Sequence, residues 1–257
     1  STAKRPARVS PSTARESGLQ VMEASEFYKN KPANLKRIEN ERVWSYEVTD
    51  HFSGDIFVHY VLGAESGFNL AESFIESVLP RPGRPVHGVP LIVMLDMGSA
   101  NTGGLFKNLA RRLGIKLLPH APRNARATGQ VEKARDTIER SFESALKFKP
   151  VHGLDGLNAA AHQWMTWFGA NKVHTRHGLT RYACWQTITA EQLRIAPPRE
   201  VLRDLVTHAP ERRKVNDYLE VEFRGATFDV RDVPNVHVGE WLQVTYNPHD
   251  IVDGALR

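Results

Sequence analysis

One cysteine, Cys184, is the only thiol in 257 residues. That excludes an internal disulfide and a cysteine-built zinc site, and it suits a reducing compartment. Long hydrophobic runs are missing too. The apolar stretches, such as VPLIVMLDM, fall far short of the ~20 residues that a membrane-spanning helix needs, so no membrane partner is expected. The opening residues STAKRPARVSPSTARESG lack the apolar h-region of a secretory signal. With no G-x-G-x-x-G and no Walker-type loop, nothing speaks for a dinucleotide or ATP site. No internal repeat is visible.

What is present is an ordinary globular balance, 41% hydrophobic and 25% charged, long enough for one sizeable domain and a small one. The formal net charge of +5 favours an anionic partner. The local distribution is sharper. From Gly104 to Lys149 there are eleven Lys/Arg against four Asp/Glu.

Residues 1–17, rich in Ser, Pro, Ala and Arg, read as a disordered arm; since the first residue is Ser, the chain is expected to be a fragment or processed product. RVWSYEVTD and DIFVHYVLG alternate as strands around the turn HFSG. Leu70, Phe74, Ile75 and Val78 mark one face of a helix. LIVML reads as a strand buried on both faces. TGGLFKNLARRLG reads as a helix, IKLLPHA as a strand, PRNARATG as a loop and QVEKARDTIERSFESALKF as a long helix. LDGLNAAAHQWMTWFGANKV is a further helix whose aromatic stripe reads as core. The order predicts a mixed α/β domain over 18–190, a linker over 191–211, and a small antiparallel β-barrel over 212–257, where DYLEVEFRGATFDV and GEWLQVTYNP alternate around turns.

Two carboxylates stand out. Asp96 follows the LIVML strand at its carboxyl end, where α/β sheets place functional groups. Glu132 comes early in the long helix, with Asp136 and Glu139 on the same face. Taken singly, each has a plainer role, as a turn former and as a partner of the helix dipole.

The stretch LDMGSANTGGLFKNLARRLGIKLLPHAPRNARATGQVEKARDTIERSF resembles the core of the integrase/transposase superfamily of DDE type, with a ribonuclease-H-like fold. Thirty-five residues lie between Asp96 and Glu132, as that family spaces its second Asp and its Glu. The resemblance runs from about Leu19 to Tyr182 and is nearest to bacterial insertion-sequence transposases, with a C-terminal barrel like that of Mu-type transposases. It implies a transposase that cleaves and joins DNA with two Mg²⁺ or Mn²⁺ ions on three carboxylates. It further implies DNA ends and target DNA as partners, a homo-oligomer on DNA, an ATPase helper protein, and a bacterial cytoplasmic, nucleoid-associated setting.

Asp96 and Glu132 would be two of the three metal ligands. For the third, three placements compete. Glu23 serves if LQVMEASEF is the first strand. Asp50 serves if the hairpin strand carries it. Otherwise the position falls in or before ARVSPSTA, which holds no acid, and the copy is altered or truncated there. A DNA-binding remnant without chemistry is the alternative function. Arg111, Arg112, Lys116, Arg123, Arg126, Lys133, Arg135 and Arg140 are the expected phosphate contacts, with Arg123, Arg126, Lys133 and Arg140 foremost. PRNARATG would be a mobile loop closing over DNA. His162, His174 and His177 lack the spacing of a zinc set. In NKVHTRHGLTRY, Asn171 and His174 match the end of the family's core, while Arg181 stands where Pro is common.

Overall fold

A computed structural model describes residues 8–11, 15–16, 43–63, 66–95, 104–119, 125–223 and 225–249. Its main sheet is built on β3 (Val43–Asp50) and β4 (Ile56–Leu62), paired antiparallel from Val43↔Leu62 to Thr49↔Ile56. The other edge of β3 takes β1 (Arg8–Pro11), antiparallel, with Val9 opposite Asp50 and Pro11 opposite Val48. It also takes β2 (Arg15–Glu16), with Arg15 opposite Ser45, one residue out of phase with β1. Thus part of the arm expected to be disordered pairs into the sheet. Backbone ladder bonds depend little on side-chain composition, so its Ser/Pro/Arg content did not announce them. Beyond β1 lie β5 (Ile92–Leu95) and β6 (Lys116–Pro119), both parallel.

Helices cover both faces. On one side α1 (Gly67–Val78) and α2 (Gly104–Arg112) meet edge to face through Phe74 and Phe106, 5.2 Å apart, over Tyr46, Val93 and Leu95. Leu70, Phe74, Ile75 and Val78 are all buried, as their spacing predicts, and Ser66 caps α1 by accepting the Asn69 amide. On the other side α3 (Ala125–Ile138) and α4 (Gly153–Asn171) pack Ala134, Ile138, Trp164, Met165 and Phe168 against Val43, Phe57, Val58 and Tyr60. The aromatic stripe of α4 is therefore core, except for Trp167, which is exposed.

Three expectations need correction. β5 alternates, with Val93 and Leu95 buried and Ile92 and Met94 only partly so, because α2 covers one face while the described residues do not fully close the other. Part of the PRNARATG loop is helix, since α3 begins at Ala125, where Ala and Arg are strong helix formers. Residues 191–211 are no free linker. Past the short helix α5 (Arg181–Trp185) they form α6 (Arg199–Asp204) and send Leu202 and Val206 into the core. Arg199 and Arg203 pair with Glu76 and Glu72 of α1.

The C-terminal part holds two antiparallel ladders. β7 (Glu211–Lys214) pairs with β10 (Trp241–Val244), and β8 (Glu220–Phe223) with β9 (Ala226–Asp229), around Val215, Val221 and Val230. Among the described residues these remain two two-stranded sheets and do not close into a barrel.

Candidate active site

Strand β1 lies between β3 and β5, and its parallel register sets Val9 level with Val93. The same register makes Asp50, opposite Val9, level with Val93, whereas Asp96 follows β5 three residues further along. Asp50 is thus level with the second residue of β5 and not with its carboxyl end. Its Oδ2 is occupied by the Ser53 amide (2.8 Å) and Ser53 hydroxyl (2.6 Å), the work of a turn former. β1 itself reads Arg-Val-Ser-Pro and carries no carboxylate. Asp96, Glu23 and Arg123 lie outside the described residues.

Glu132 is exposed on α3, and among the described residues no ion pair engages it. Its helix is fixed against β3 at two points. Gln130 bonds His51 (2.9 Å) and donates to the Asp50 carbonyl (3.2 Å), and Arg135 reaches Ser45 and Glu47. Glu132 lies between these points along the helix, beside the middle of β3. The face it shares with Asp136 and Glu139 is turned to solvent; the sheet is met by Ala134, Arg135 and Ile138. Lys133 is exposed, Arg126 falls in the first turn of α3, and Arg140 is exposed but paired with Asp136 at 2.5 Å.

Arg135, expected to face DNA, is instead buried. Its guanidinium binds Glu47 (2.9 Å), Glu143 (3.0 Å) and Glu139 (2.6 Å), while the Tyr60 hydroxyl donates to Glu143 (2.8 Å). Burial opposes its charge, but Glu47 and Glu143 outweigh that, so its pKa is raised. Burial also pushes the Glu143 carboxyl up, against the pull of Arg135, and pushes the Tyr60 phenol up. The helix accommodates Glu143 through a π turn, Glu139–Glu143, where the Ser144 amide reaches back five residues to the Glu139 carbonyl. The i, i+4, i+8 spacing of Arg135, Glu139 and Glu143 was the sequence signal for this column.

The turn 51–54 is held from the far side. Arg176 donates to the His51 and Phe52 carbonyls, His177 contacts the Ser53 carbonyl (2.9 Å), and Arg181 donates to the Gly54 carbonyl (2.9 Å). Arg181 is thus a structural grip. His162 sits elsewhere, on the Pro82 carbonyl, so the three histidines form no metal set. Asn171 bonds back to the Trp167 carbonyl.

The expected two-ion site needs three acids. Among the described residues no group of three or more His, Cys, Asp or Glu could hold a metal. The exposed Glu132 carboxylate suits a hard cation, but β1 offers no oxygen anion beside it, so a two-ion site does not fit the described donors. No described helix is long and apolar enough to cross a membrane.

No family model matches the chain, and no curated protein matches it. Solved structures do resemble it. A chain of the simian T-cell lymphotropic virus intasome, in complex with the PP2A regulatory subunit B56 gamma, superposes with a TM-score of 0.52 at 17% identity, over 87% of this chain and 66% of that one. The catalytic core domain of BIV integrase gives 0.49 at 15% identity, over 71% and 96%. The HTLV-2 integrase catalytic core in complex with magnesium gives 0.46 at 18%, over 70% and 95%. At such identities the likeness is one of fold, and it rests on the first of the three.

Proposed function

We propose that this chain acts on DNA as a polynucleotidyl transferase of DDE type, a transposase that cleaves and joins strands. The observation that carries it is the exposed Glu132 on a helix pinned to the central sheet, in a chain whose sequence continues from strand β5 into Asp96. Asp96 follows β5, the parallel neighbour of β1, and Glu132 rides on α3, pinned to β3, the antiparallel neighbour of β1. The integrase-like fold supports the same reading. Lys133 would neutralise a phosphate beside Glu132. Catalysis on this reading takes its third acid from outside the described residues, where Glu23 lies. A homo-oligomer on paired DNA ends, an ATPase helper, a bacterial insertion-sequence origin with cytoplasmic location, and a Mu-type role for the C-terminal ladders belong to the same proposal.

A second reading, DNA binding without chemistry, is favoured by one feature, the Arg-Val-Ser-Pro sequence of β1. A strand-joining assay with Mg²⁺, run beside a duplex-binding titration, separates them. Joined product supports the enzyme. Salt-sensitive binding without product supports the second reading, and the absence of both sinks the DNA-acting role altogether.

A further inference from the structure

The connection between α4 and α5, residues 172–180, docks onto the turn 51–54. Its docking gives it a further use. Arg176 reaches the carbonyls of His51 and Phe52, and the His51 ring is bonded to Gln130 on α3. Lys133 stands three residues after Gln130, on the neighbouring turn of the same helix. His174 stacks on His177 with ring centroids 4.9 Å apart, and its Nδ1 accepts the Arg176 amide. Gly54, with φ of +71°, presses against His174 so closely that a Cβ there would fall 2.4 Å from the ring. The connection, the turn and the start of α3 are therefore one packed surface.

Its charge is one-sided. Lys133, Lys172 and Arg176 are exposed, and Arg181 stands behind them, its guanidinium on the Gly54 and Lys172 carbonyls. The acids of the turn do not offset this. Asp50 is taken up by Ser53, and Asp55 is buried on Arg84 at 2.6 Å. Glu132 is the exposed acid beside Lys133. The imidazole of His174 reports the same field: its pKa is lowered to about 4, by burial first and then by Arg181, Arg176, His177 and Lys133.

We propose that Lys133, Lys172 and Arg176 form a single phosphate-binding surface that holds a DNA backbone alongside Glu132. The inference rests on the DNA-acting reading above and names where on the chain the backbone lies. Phosphates bring the opposite charge, and the rigid docking of the connection fixes the spacing of the cations before DNA arrives. Lys133 was expected to meet phosphate from its place beside Glu132; Lys172 and Arg176 were not.

The test is fluorescence anisotropy of a labelled duplex, about three helical turns long, with the full chain, titrated over a range of NaCl. The variants are Lys133→Gln, Lys172→Gln and Arg176→Gln, with Lys149→Gln as a control on an exposed site beyond the π turn. Lys133 and Lys172 are exposed, so their variants keep the test sound if Arg176→Gln disturbs the turn. Each of the two lysine variants is expected to bind several-fold more weakly and to flatten the log–log salt slope by about one unit. Wild-type binding with slopes unchanged in both lysine variants would overturn this surface and leave the DNA-acting reading standing. Failure of the wild type to bind duplex would end both.

Discussion

At the residue scale, Arg135 decides most. It is one guanidinium between two buried carboxylates, Glu47 and Glu143, with Glu139 at the rim. Removing it leaves two buried acids without a counter-charge. Arg135→Ala is therefore expected to destabilise the chain by about 3–5 kcal/mol in urea unfolding, the usual cost of breaking a buried pair from one side. A loss under ~1 kcal/mol would show that the cluster is not closed as described. His59 makes a second prediction. It is largely buried, its Nδ1 lies 2.9 Å from the Ser73 hydroxyl, and burial with Arg81 and Arg199 lowers its pKa to about 4. The unfolded chain binds that proton near pH 6.5, so the stabilisation is present above about 6.5 and is lost as pH falls toward 4. Unfolding free energies across that window should slope down on acidification, and His59→Gln should make the slope shallower; an unchanged slope would assign the acid sensitivity elsewhere.

At the scale of elements, the turn 51–54 joins β3 to β4 and is gripped by α3 and by the α4–α5 connection. Gly54 is required there twice over, by its positive φ and by the closeness of His174. Gly54→Ala should lower stability by roughly 1–3 kcal/mol and loosen Arg181 and His177 from the turn, visible as faster amide exchange at 51–55. Protection equal to wild type would contradict the grip. These elements also show what sequence can and cannot carry. The strand and helix patterns placed β3, β4, α1 and α4 within a residue or two, because β-branched and aromatic residues crowd the two buried strands and each helix buries one stripe. The strands β1 and β2 were missed because they are only four and two residues long and hold Arg, Ser, Glu and a Pro without an amide to donate, none of which marks a strand. Arg135 was misjudged because a charge in a basic segment looks solvated until its partners, 88 residues away in the case of Glu47, are folded beside it.

On the scale of the whole molecule, two helical layers enclose a sheet whose central strand has no acid. Glu132 rides on α3 at the β3 side of that strand, while β5, whose sequence runs on into Asp96, pairs with its other side. The packing of α6 onto α1, through Arg199 with Glu76 and Arg203 with Glu72, ties the C-terminal ladders to the same body. His249 beside Glu72, and Asn247 on the Arg203 carbonyl, continue that tie. The central claim is that this body cuts DNA at the flank where Glu132 stands. Nicking of a supercoiled plasmid in Mg²⁺ by the wild type and by Glu132→Gln tests it most directly. The account predicts nicking by the wild type that falls to background in the variant, and equal rates in the two would contradict it.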